Sequence, residues 1–127
     1  MHVDIKHVSD KGNNKKERLV LNVLSDTNIG NYIIADTTYH NDDSVSNKLR
    51  HVFWIPDQKV SKGDLVVIYT KKGTDTKKVF KSGRTTFFFY WGLDSTIWNK
   101  AEDCAVVINV KDWIHSPVVK GPEVLRS

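Results

Sequence analysis

The chain has 127 residues, 39% of them apolar and 27% charged, with a mean hydropathy of −0.41. That predicts one domain with its own core and excludes a disordered or collagen-like chain. The 19 basic and 15 acidic residues leave a net charge of +4, which permits a nucleic-acid partner without requiring one.

Apolar residues come in short bursts rich in β-branched and aromatic types: Val3 to Val8, Leu19 to Leu24, Tyr32 to Ala35, Val52 to Ile55, Leu65 to Tyr69, Thr85 to Trp91 and Cys104 to Val110. Gly, Pro, Asn, Asp or Ser bounds each burst, and no window carries the i, i+3, i+4, i+7 stripe of an amphipathic helix. Turn chemistry falls between the bursts. Asp10 to Asn14 supplies residues tolerant of positive φ, as do Ser61 to Asp64, Lys72 to Asp75 and Lys81 to Arg84. Pro56 ends the fourth strand, and Thr38 to Lys48 reads as a long surface loop. The pattern predicts an all-β chain, first a β-sandwich of about seven to nine short strands and second a small barrel.

The longest fully apolar runs are five residues, far short of the roughly 20 that a membrane helix needs. The start, Met1 to Lys6, lacks the apolar stretch of a signal peptide. One cysteine, Cys104, leaves no internal disulfide to form. The expectation is a cytoplasmic, intracellular protein with no membrane segment.

Catalytic constellations are not evident. His2, His7, His40, His51 and His115 are scattered, with none at metal-ligand spacing. Cys104 precedes Ala105-Val106-Val107 on a predicted strand, the setting of an inert core thiol rather than a nucleophile. Asp42-Asp43 reads as a solvated turn before it reads as a metal carboxylate pair. No phosphate-cradling glycine loop or nucleophile elbow is present. The chain is therefore expected to be no enzyme and to need no metal or cofactor.

From Glu17 to about residue 115 the order of features resembles the lamin tail domain, an immunoglobulin-like β-sandwich. Glu17 to Asn22 is similar to the family's acid-led strand, and Ile29 to Asp36 to its next step, with Tyr32 where the family usually has Trp. Phe53-Trp54-Ile55-Pro56, then Val60 to Tyr69, match its aromatic-aliphatic-Pro segment and valine-rich strand. Ile97-Trp98-Asn99 and Cys104 to Ile108 match its closing Trp-Asn segment and strand, with Glu102 in place of the usual Gly. The resemblance implies a single immunoglobulin-like domain over 1–127, with a core at 17–115, an N-terminal strand and turn at 1–16 and an extended tail at 116–127. It also implies burial of Trp54 and Trp98 and a recognition role. Without a heptad rod, and ending Val124-Leu125-Arg126-Ser127 rather than in a prenylation box, the expected member is a freestanding bacterial or phage-type module and not a lamin.

Two surface features carry the expectations about function. Lys71, Lys72, Lys77, Lys78, Lys81 and Arg84 face a single acid, Asp75, within one segment, which suits either phosphate contacts or a lysine-guarded sheet edge. In Phe87 to Trp91 strand alternation puts Phe87, Phe89 and Trp91 on one face and Phe88 and Tyr90 on the other. Phe88 and Tyr90 are then either covered by the chain's own segments or part of an apolar interface. The leading expectation is a non-enzymatic module that recognises a protein partner. The alternatives are a nucleic-acid-binding accessory protein using 71–84, and a self-assembling subunit using the aromatic strand as a homo-oligomer contact.

Overall fold

A computed structural model describes residues 1–42 and 44–118; Asp43, and the part of the expected tail from 119 to 127, lie outside the described residues. The strands are β1 (Val3–Ser9), β2 (Arg18–Val23), β3 (Thr27–Asn28), β4 (Tyr32–Thr38), β5 (His51–Trp54), β6 (Lys59–Val60), β7 (Leu65–Tyr69), β8 (Thr76–Val79), β9 (Thr85–Tyr90) and β10 (Asp103–Asn109). A single 3₁₀ turn, Ile29–Asn31, is the one helical element among the described residues. The chain is all-β. All seven predicted bursts are strands, and the three that sequence pattern missed are two-residue bridges or the polar edge strand β8.

A five-stranded sheet, β1-β2-β7-β9-β8, packs against a three-stranded sheet, β10-β4-β5. Alternation decides which residues meet. Val3, Leu19, Leu21, Val23, Val66, Ile68, Phe87 and Phe89 project from the large sheet into the core. Tyr32, Ile34, Phe53, Ala105 and Val107 project from the small one, and Ile29, Ile55, Ile97 and Trp98 fill the ends. Val3 lies in this core, which therefore takes in the first strand and reaches beyond the expected 17–115.

The turns follow the predicted chemistry at Asp10, Gly12, Gly63 and Gly83, all at positive φ. Lys72 to Asp75 differs. This segment is no tight reversal, because β9 pairs with β7 in parallel and β8 lies outside β9. The chain leaving β7 must therefore cross the end of β9. It does so at Gly73, where a Cβ would stand 2.2 Å from the Tyr90 ring, and at Asp75, whose carboxylate accepts from the Tyr90 amide at 3.1 Å. At the opposite end Asp64 seats β9 beside β7, accepting from the amides of Ser61 at 2.9 Å and Thr85 at 3.0 Å.

Glu17 joins β2 to the segment before β10. Its side chain is 1% exposed, and it accepts from the amides of Gly12 at 2.9 Å, Ile97 at 2.9 Å and Trp98 at 3.2 Å. A buried carboxylate is tolerated here because three fixed N–H dipoles replace its water. Trp98, held by this clamp, is 2% exposed, and its indole N–H donates to the Cys104 carbonyl at 3.2 Å.

Candidate interaction surfaces

Trp54 corrects the expectation drawn for it. It is 43% exposed, on the outer face of the small sheet. The reason is register. In the β4–β5 ladder Phe53 lies opposite Ile34 and turns inward, so its neighbour Trp54, opposite Ile33, turns outward. The Trp54 indole N–H donates to the Gly30 carbonyl at 2.7 Å, and Trp113 packs edge-on against its ring with centroids 4.9 Å apart.

The same parity sets Ile33 and Ala35 of β4, Val52 of β5, and Val106 and Ile108 of β10 on this outer face. Val52, Trp54, Ile108 and Trp113 are exposed, and Ile33 and Val106 are half-buried. One end of the face is covered. The Thr37 hydroxyl donates to the carbonyls of Ser46 and Lys48 at 3.0 and 2.8 Å, so the predicted surface loop folds back there. What remains open is a row of apolar side chains with two tryptophans, the composition of an interface core. Alternation within Val52-Phe53-Trp54 puts Trp54 and Phe53 on opposite faces, and the ladder to β4 turns Phe53, not the tryptophan, inward.

The predicted interface residues Phe88 and Tyr90 lie on the outer face of the large sheet and are half-buried. The row Arg18–Tyr69–Tyr90 crosses three strands. Tyr69 and Tyr90 stack with centroids 5.3 Å apart, and the Lys71 ammonium lies 5.0 Å from the centre of the Tyr69 ring. Phe87 and Phe89, which parity puts on one face, are both buried. The chain thus covers part of the second aromatic face with its own crossover, and the largest exposed rings are elsewhere.

The six predicted cations do not gather in one patch. Lys71 and Lys72 sit on the crossover at one end of the large sheet, Lys81 and Arg84 on the β8–β9 turn at the other. Lys77 and Lys78 lie between them on β8, on opposite faces by alternation. Lys72 pairs with Asp94 at 2.9 Å on the surface, whereas Lys77, Lys78, Lys81 and Arg84 have no carboxylate partner among the described residues.

Sequence reasoning did not anticipate one further pairing. His51 Nδ1 lies 3.0 Å from the buried Asp36 carboxylate, which also accepts from the His51 amide at 2.7 Å. The β4–β5 ladder brings them opposite each other. No third His, Cys, Asp or Glu joins them closely enough to hold a metal among the described residues. Burial, with the charges of Asp103 and Asp36 nearby, pushes the Cys104 thiol above its ordinary pKa. Asp42 has its carboxyl held below the usual range by the hydroxyl and amide of Ser44, a capped turn. No helix among the described residues is long and apolar enough to cross a membrane.

No protein-family model, curated protein or solved structure matches this chain.

Proposed function

We propose that this chain is a non-enzymatic recognition module, with the immunoglobulin-like arrangement of a freestanding lamin-tail-like domain, whose outer small-sheet face docks a protein. The observation that carries this reading is the exposed apolar row of Val52, Trp54, Ile108 and Trp113. Two tryptophans packed against each other on an apolar face are of the side-chain type that most often dominates binding energy between proteins. The single buried cysteine suits a reducing, cytoplasmic setting.

The test is site-specific photocrosslinking in the producing cell. A photoreactive residue at Val52 is expected to trap one adduct of discrete mass, and the same residue at the exposed Val79 of β8 none. W54R at the face should remove the adduct. Equal labelling from both positions, or none from Val52, overturns the reading.

A second reading is nucleic-acid binding along β8, favoured by Lys77, Lys78, Lys81 and Arg84, four cations without a carboxylate partner among the described residues. These can meet phosphates, and with no recognition helix available such binding would be independent of sequence.

A further inference from the structure

Four strands form the lateral edges of the two sheets, and three of them carry devices that block pairing with another strand. On β8, Lys77 and Lys78 occupy half of a four-residue strand. The β1 ladder shifts register between Ile5 and His7, around Lys6. Strand β5 has four residues, and Pro56 follows two positions after its last. Strand β10 has none of these. Its seven residues pair with β4 without a register shift, and its interior, Cys104-Ala105-Val106-Val107-Ile108, holds neither charge nor proline.

The phase of the ladder fixes which groups are free. Val110 N donates to Asn31 O at 2.8 Å, and Tyr39 N to Glu102 O at 2.9 Å. Even-numbered residues of β10 therefore bond to β4, and Ala105 and Val107 turn their N–H and C=O groups to the open side. No partner for the amides of Ala105 or Val107 is present among the described residues.

We infer that β10 is the contact through which two copies of this chain pair, antiparallel and about a twofold axis at Val106. The strand is complementary to itself in that register. Ala105 faces Val107 of the second copy as a hydrogen-bonded pair, using the groups the fold leaves free. Cys104 faces Ile108, and the carboxylate of Asp103 faces the amide of Asn109 rather than another carboxylate. An isologous contact of this kind closes at two copies and leaves no further β10 edge to propagate. A cleft of about 470 Å³ lies at the Asp103–Ala105 end of β10, where Ile5, His7, Val8 and Lys11 also line it, and would seat Val107 and Asn109 of the incoming strand. The pairing would join two three-stranded sheets into one of six, placing both exposed tryptophan faces on the same side.

Sedimentation equilibrium of the full chain should give a mass of twice 14.5 kDa that falls to one chain on dilution. Val106→Lys sets two ammonium groups against each other at the axis, and Ala105→Pro removes an edge amide the monomer does not use; each should give one-chain mass with the β spectrum retained. Val106→Cys tests the register without needing a destabilised variant. Non-hydrogen-bonded antiparallel partners have Cα atoms about 4.5 Å apart, within disulfide reach. V106C should oxidise to a covalent dimer, whereas V79C on β8 and the wild type with Cys104 alone should not. A single-chain mass at all concentrations with V106C remaining uncrosslinked overturns the inference. So does a dimer that survives both Val106→Lys and Ala105→Pro, or equal crosslinking of V79C and V106C.

Discussion

Replacing Glu17 with alanine isolates the energy of the clamp that ties β2 to the segment before β10. The substitution removes two carboxylate oxygens and leaves three N–H groups without their acceptor: Gly12, Ile97 and Trp98. Gly12 sits in an exposed turn and can turn to water, whereas the bonds to Ile97 and Trp98 are buried. Each buried donor left unsatisfied costs about 1–3 kcal/mol. The expected loss is therefore about 4 kcal/mol, a large share of the roughly 5–15 kcal/mol that holds a domain folded. Glu17→Gln should fall between, at about 2 kcal/mol, because one amide oxygen can serve only part of the set while its NH₂ faces another donor. Urea unfolding followed by tryptophan fluorescence measures both. With a slope of about 2 kcal/mol per molar, the alanine variant's midpoint should drop by about 2 M. A loss under about 1 kcal/mol for Glu17→Ala would refute the argument, since it would mean water reaches Ile97 and Trp98 and the carboxylate is not their acceptor in solution.

Three other predictions follow from the placement of side chains. Trp98→Ala should cost about 3–5 kcal/mol in the same urea experiment, and Trp54→Ala far less, because Trp54 is largely on the surface; equal costs would contradict the β4–β5 register. The raised Cys104 thiol should react with a thiol reagent many times more slowly in the native protein than in urea. Because its folded pKa lies above the unfolded value of 9.0, the neutral thiol is the form the fold favours, so stability should be unchanged below pH 9 and decline above it; a gain in stability with alkali contradicts the burial. If Lys77, Lys78, Lys81 and Arg84 neutralise about three phosphates, the slope of log K against log salt should be roughly −3, and reversing all four to Glu should abolish binding with little change in Tm. No binding of single- or double-stranded DNA or RNA even at low salt would leave β8 as a guarded edge alone.

That the seven apolar bursts become strands was legible in the sequence, because period-two alternation, β-branching and turn residues such as Gly63 and Gly83 act within a few neighbours, whereas β3, β6 and the polar β8 were not. The same local rule divided Phe87 and Phe89 from Phe88 and Tyr90. Partner choice is not local. Nothing within Leu65 to Tyr90 required β9 to enter between β7 and β8, yet that parallel pairing carries Lys71 and Arg84 to opposite ends of a sheet and separates what the sequence placed together. Alternation likewise put Phe53 and Trp54 on opposite faces, but only the ladder to β4 decided that the tryptophan faces outward. Glu17 and Trp98 are 81 residues apart, and Asp36 and His51 are 15 apart. Such contacts form only when the sheets close, since burial makes an unpaired carboxylate or amide costly and so selects the arrangement in which each has its partner.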